Sequence, residues 1–216
     1  MNRKSLLIST AALGLLASAS SAATITLING SFEAPATGKI QSGYDGATDI
    51  PGWINNDAGP YTDTGVENSG ITGKDGDWTT FLRSTDGGAY QVTSYTIGTG
   101  DQFTLSWLAG STSGEGLNTL QQVTLFLTTD GGATRTVLAT NTDSFGTSAN
   151  VFNSFTLEYT ATAADAGAQI GIEFDSLNAS DAWVGYDNFN LAVIPEPSAL
   201  VLGVFGLAAF TRRRRA

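Results

Sequence analysis

The chain has 216 residues, no cysteine, no histidine and a formal net charge of −10. The missing residue types exclude disulfide staples, cysteine nucleophiles, Ser-His-Asp triads and zinc sites built on His and Cys, leaving carboxylate chemistry and oxygen-ligated cations. Between Thr24 and Pro197 only Lys39, Lys74, Arg83 and Arg135 oppose all 20 carboxylates, a balance that repels phosphate backbones and speaks against nucleic acid as a partner.

In chain order, Met1–Ala23 reads as a secretory signal peptide. Arg3 and Lys4 precede the apolar run Leu6–Ala17, and small residues lead to a cleavage point after Ala22 or Ala23. A first strand is predicted over Thr24–Ile28. The stretch Ala34–Gly76, rich in Gly, Asp, Asn and Thr, holds few clean strands and is expected to form elaborate surface loops. Strands are then predicted over Trp78–Arg83 and Ala89–Thr96. Apolar residues recur at every second position in "QFTLSW" (Phe103, Leu105, Trp107), "QVTLFLT" (Val123, Leu125, Leu127), "FTLEYT" (Phe155, Leu157, Tyr159) and "QIGIEF" (Ile170, Ile172, Phe174), and again at Phe189, Leu191 and Val193. That period marks half-buried strands with one face on a core. A further strand is predicted over Thr134–Thr140. The two "TDGG" pieces, Thr85–Gly88 and Thr129–Gly132, predict tight hairpins. "TAADAGAQ" at Thr162–Gln169 reads as a loop. About nine short strands in one domain, 24–193, predict an all-β antiparallel sandwich of jelly-roll type.

Among the aromatic residues, Trp107 and Trp53 are expected in the core. Trp78 and Trp183, beside polar and acidic residues, are candidates with Tyr44 and Tyr61 for a sugar-stacking platform, with Asp75, Asp77, Asn55 and Asn56 to bind hydroxyls. Glu158 and Glu173 alternate with core residues and are expected to point outward, possible partners in carboxylate catalysis across one face. "KDGD" at Lys74–Asp77 resembles a fragment of a calcium loop and reads more simply as a turn.

The chain closes with "VIPEPSALVLGVFGLAAFTRRRRA". The apolar run Ala199–Phe210 spans roughly 18 Å as a helix, well short of a bilayer core of about 30 Å. Pro195 and Pro197 block its extension upstream, and Arg212, Arg213, Arg214 and Arg215 favour the cytoplasmic side. Pro195-Glu196-Pro197, the short apolar run and the arginine cluster together resemble the PEP-CTERM sorting signal over 194–216. The resemblance implies a transient stop of the tail in the inner membrane of a Gram-negative bacterium. It also implies cleavage by an exosortase-type protease and delivery to a cell surface or matrix rich in exopolysaccharide.

A second resemblance covers most of 24–193. "LINGSFEAP", "DIPGW", "GDWTTFLRSTDGGAYQVTSYTIGTGDQFTLSWLAG" and "WVGYDNFNLAV" look like galactose-binding-like jelly rolls. The resemblance implies a structural calcium ion between the first and last strands, with Glu33 and Asp187 as side-chain ligands and the loop carrying Asp75 completing the shell. Here Asp187 is followed by Asn188 where the family commonly has a second Asp, which removes one ligand. Together these observations predict an exported, non-enzymatic sandwich that binds or organises extracellular polysaccharide. A structural surface protein that binds other proteins or itself, and a small glycan hydrolase, are the alternatives.

Overall fold

The computed structural model describes residues 21–34, 50–56, 64–68, 70–83, 87–111, 120–144, 150–177 and 183–196. Ser21–Glu196 forms one unit. Among the described residues it contains eleven strands and no helix: β1 (Ala23–Ile25), β2 (Ile54–Asn55), β3 (Thr64–Glu67), β4 (Thr79–Arg83), β5 (Ala89–Thr96), β6 (Gln102–Ser111), β7 (Leu120–Thr128), β8 (Thr136–Ser144), β9 (Asn153–Thr160), β10 (Gln169–Ser176) and β11 (Trp183–Ile194).

The strands form two antiparallel sheets. One has the order β3-β4-β11-β6-β9 with β1 added against β11, and the other β2-β5-β10-β7-β8. The alternating residues decide which faces meet. Phe103, Leu105, Trp107, Tyr186, Leu191 and Val193 of the first sheet pack on Val123, Leu125, Ile170, Ile172 and Phe174 of the second. Burying these side chains supplies the dominant stabilisation, about 1.5–3 kcal/mol for each large apolar group removed from water. Aromatic rings fill the middle: Phe174 lies 5.0 Å from Trp53, 5.0 Å from Tyr186 and 5.7 Å from Phe189. The all-β sandwich of jelly-roll type predicted from the alternation is what the chain forms, with Trp53 and Trp107 both in its core.

Two differences from the sequence reading have local causes. The stretch predicted as loops contributes β2 and β3, too short to show any periodicity. The hairpin predicted at Thr85–Gly88 is instead a crossing between sheets, since β4 lies in one and β5 in the other. The second TDGG, Thr129–Gly132, does close a hairpin, β7 on β8. There Gly131 and Gly132 take φ of 73° and 96°, the left-handed region that glycine enters without steric cost.

β11 is the central strand of its sheet. One edge pairs with β6 along most of its length. The other edge is shared: β4 takes Trp183 and Val184, and β1 takes Leu191–Val193. In the gap between them the register with β6 slips, Asp187 facing Leu108 and Asn190 facing Ser106. This bulge, with Asn188 at φ 49°, turns the Asp187 carboxylate toward the loop that carries Asp75.

Candidate active site

The outer face of the five-stranded sheet carries its own chemistry. Strand pairing puts Tyr90 and Thr124 on either side of Glu173, Val92 and Phe126 beside Gly171, and Gln122 beside Asp175. All of these alternate with the core-facing Ile170, Ile172 and Phe174 and so project away from the core. Phe126 is nonetheless fully buried. The β7–β8 turn lies against the face, so that a side chain at Gly132 would collide with Tyr90 and Val92, and between neighbouring strands a side chain at Gly171 would collide with Phe126.

Arg135 locks this half of the face. Its guanidinium lies 4.1 Å above the Tyr90 ring and 5.9 Å from Phe126. Its Nε is 3.5 Å from Glu173 Oε2, and its Nη1 donates to Asn56 Oδ1 at 2.8 Å. Asn56 Nδ2 in turn donates to Glu173 Oε1 at 2.6 Å. Glu173 is thus a paired, hydrogen-bonded carboxylate.

Asp175 differs. It lies two residues along β10 on the same face, about 7 Å from Glu173. Burial pushes its carboxyl above the ordinary range, and the negative charge of Glu173 adds to the effect. Amide donors at Ser176 and Gly88 oppose it. A side chain at Gly88 would overlap the Phe174 carbonyl and the Asp175 backbone, so only glycine lets this amide approach. Two carboxyl groups on one face in contrasting environments can divide the roles of proton donor and fixed anion.

A second acidic group sits at the β11 bulge. Asp187 is completely buried and accepts the amides of Asp75 (2.6 Å) and Asn188 (2.7 Å). Glu33 Oε1 accepts those of Asp77 (3.0 Å) and Trp78 (2.9 Å). Burial raises the Asp187 carboxyl to about 7, and the charges of Asp75 and Glu33 act in the same direction. A cavity of about 370 Å³ opens beside Asp75, Asn188 and Ser31. Asp187, Glu33 and the loop carrying Asp75 offer oxygen atoms of the kind a hard cation takes. Among the described residues, however, no three acidic side chains converge into a ligand cluster.

The other candidates are dispersed. Trp78 packs against the core cluster. Trp183 lies 5.8 Å from Phe81 and pairs with Arg83 at the far end of β4, roughly 17 Å along the strand from Trp78. The two tryptophans make no common platform. Tyr44 and Tyr61 lie outside the described residues. Glu158 projects from β9 beside Thr104, on the outer face of the other sheet from Glu173, so the whole sandwich separates that pair. Pro195 and Glu196 come directly after β11, where the Glu196 amide donates to Asp101 Oδ1 at 3.4 Å. Pro197 and Arg212–Arg215 lie outside the described residues. No helix among the described residues is long and apolar enough to cross a membrane.

Sequence reasoning missed Asp175 and Arg135. The alternation of "QIGIEFDS" already places Asp175 on the face of Glu173. For Arg135, just beyond a glycine turn, only its rarity as one of four basic residues in the domain was a signal.

The fold is a jelly-roll sandwich, and Glu173 and Asp175 lie on the outside of one of its sheets. Residues 23–192 match the HpiC1-like family, described as HpiC1 cyclase, and the chain belongs to that family. Among solved structures, it resembles the Stig cyclase Fisc from Fischerella sp. TAU in complex with (3Z)-3-(1-methyl-2-pyrrolidinylidene)-3H-indole. The two are 21% identical over 82% of this chain and 100% of the other, with a TM-score of 0.64. A cyclase from the same organism in complex with 4-(1H-indol-3-yl)butan-2-one matches with the same identity, coverage and score. A structure described as "CBM4 structure and function" is similar at 16% identity, over 78% of this chain and 99% of the other, TM-score 0.50. At these identities the structures show the shared fold. No curated protein matches the chain.

Family membership corrects the functional expectation. The predicted non-enzymatic polysaccharide binder gives way to a member of a cyclase family. The same membership overturns the expected partners, an exosortase-type protease and extracellular polysaccharide. The general resemblance to carbohydrate-binding jelly rolls is one of fold, which many functions share.

Proposed function

We propose that the chain is a cyclase that closes a ring in an apolar, indole-bearing small molecule by proton transfer on the outer face of the five-stranded sheet. The observation that carries this reading is Asp175: a half-buried carboxyl held toward its protonated form beside the paired carboxylate of Glu173. Protonated Asp175 donates its proton to a carbon–carbon double bond of the substrate, leaving a carbocation. The π electrons of a second unsaturated group attack that centre and form the ring bond. Loss of a proton from the ring to the Asp175 carboxylate restores the acid, so the product is an isomer of the substrate and nothing else is consumed. Glu173, fixed by Arg135 and Asn56, supplies negative charge near the developing cation. Tyr90 and the exposed Ile54 offer apolar surface. The indole compounds bound by the Fischerella cyclases support the substrate class.

The test is incubation of purified protein with an alkenyl-indole, with product detection for an isomer of unchanged mass. Asp175→Asn is expected to lower turnover by about 10²–10⁴-fold, the usual contribution of a positioned acid, with the fold intact by circular dichroism. Absence of any isomer with the native protein, or native turnover by the variant, would overturn the reading.

The donor chemistry at the β11 bulge supports a calcium ion held by Glu33, Asp187 and Asp75. Bound there, it would offset a buried negative charge and tie β11 to the loop at 74–77. The cationic and apolar start of the chain supports export as the route to its place of action.

A further inference from the structure

We infer that Tyr186 is a positioning residue for Asp175, a strut that crosses the core from the opposite sheet and fixes the acid-bearing end of β10. The inference rests on the reading of Asp175 as the proton donor and adds a residue that never meets substrate.

Tyr186 belongs to β11, yet its hydroxyl ends in the backbone ladder between β7 and β10. It donates to the Asp175 carbonyl and accepts the Gln122 amide at 3.1 Å. Asp175 and Gln122 face each other across that ladder, so one hydroxyl ties the acid's own backbone to its neighbour on the next strand. The base of the strut is fixed as well. The Tyr186 amide donates to Thr80 Oγ1 at 2.8 Å, and the same Thr80 hydroxyl lies 3.2 Å from the Tyr186 carbonyl as donor. The ring is wholly buried, packed 5.0 Å from Phe174 and 6.0 Å from Phe189.

A core position ordinarily needs only an apolar ring. A tyrosine here brings a hydroxyl that must be satisfied, and its partners include the backbone of the acid itself. From the outer side the Gly88 amide holds the Asp175 carboxylate. The residue is therefore gripped through its carbonyl from within and its carboxylate from without. Removing the inner grip leaves a half-buried carbonyl and amide without this partner, an unfavourable state relieved when the strand end opens to water. The acid would then lose the burial that favours its protonated form.

The experiment tracks the carboxyl carbon of Asp175 by NMR through a pH titration in the native protein and in Tyr186→Phe. The expected result is a downward move of about one pH unit in the variant, a roughly tenfold loss of protonated acid at neutral pH, with the carboxyl titration of Asp165 unmoved. In the cyclisation assay kcat should fall on the alkaline side while KM stays constant. Thr80→Val, which loosens the base of the same strut, should shift Asp175 in the same direction and serves if Tyr186→Phe does not fold. An unmoved Asp175 titration in whichever variant folds overturns the inference. The two readings fail separately. Native turnover by Asp175→Asn removes the acid and the strut's purpose with it, whereas an inactive Asp175→Asn with an unshifted Tyr186→Phe removes the strut alone.

Discussion

Gly171 has no side chain because the Phe126 ring occupies its place. A methyl group there would also press on the Gln91 carbonyl, 2.9 Å away, across the β5–β10 ladder. Phe126 in turn sits under Tyr90 and Arg135, so the ring has nowhere to retreat. Gly171→Ala is expected to lower stability by about 1–3 kcal/mol, as overpacking does in a filled interior, read as a lower urea midpoint with an unchanged slope. Gly171→Ala combined with Phe126→Leu should recover part of the loss, because the shorter side chain vacates the ring edge. Equal midpoints for native protein and Gly171→Ala would mean that the satellite core on this face is loose. The sequence alone could not announce this packing. Phe126 interrupts the period in "QVTLFLT" as an apolar residue on the polar side of β7, and only the packing of its ring against Gly171, Tyr90 and Arg135 explains its burial.

At the scale of the strand, β11 turns two polar side chains to opposite sides of one bulge. Tyr186 points into the core toward Asp175, while Asp187 turns to the Asp75 loop. A cation held as proposed near Glu33, Asp75 and Asp187 would bind the folded chain only, since those residues approach one another only on folding, and would therefore stabilise it. At a hundredfold excess over the dissociation constant the gain is about 2.7 kcal/mol, or an upward shift in Tm of roughly 5–10 °C for a domain of this size. Calcium titrated against a chelator-treated sample should produce that shift, and Glu33→Ala or Asp187→Ala should abolish it. Native protein that melts at one temperature with and without calcium would refute the site.

The long strands were legible in the sequence because each presents one apolar face to a single core, which forces a period of two. Glu33 and Asp187 were reached only through a family likeness, and the bulge that joins them leaves no periodic trace. Trp78 and Trp183 misled because neighbouring polar residues say nothing about which way a strand-end ring turns. Glu158 and Glu173 were correctly expected to point outward, but strand direction cannot say which sheet a strand joins, and the two strands joined different sheets.

Over the whole molecule, carboxylates far outnumber bases in 24–197, and two sets of them act on stability in opposite directions. Burial raises the carboxyls of Asp187, Asp175 and Glu67 in the folded state, though the charge of Lys74 partly offsets the effect on Glu67. The native protein then binds those protons more tightly than the unfolded chain. Their contribution is full below the ordinary carboxylate range and is lost as pH rises through the folded values. Asp130 and Asp165 behave oppositely. Amide and hydroxyl donors in the turn at Thr128–Thr134 hold Asp130 down to about 2, and the Thr162 amide and the Tyr159 hydroxyl lower Asp165. Their contribution exists above the ordinary range and disappears as pH falls through the folded values. General repulsion among the excess carboxylates adds to the loss at higher pH. The native protein should therefore be most stable in mildly acid solution, with Tm falling on either side. Added salt should flatten the alkaline limb by screening the exposed charges, since the Debye length is about 10 Å at 0.1 M. Asp175→Asn should flatten the same limb without moving the acid one, because an amide at that position has no proton to lose. Melting curves across pH 3–8 for both proteins decide the matter: a native Tm that climbs steadily toward pH 8, or an alkaline limb identical in Asp175→Asn, would show that the acid on the outer face is not held toward its protonated form.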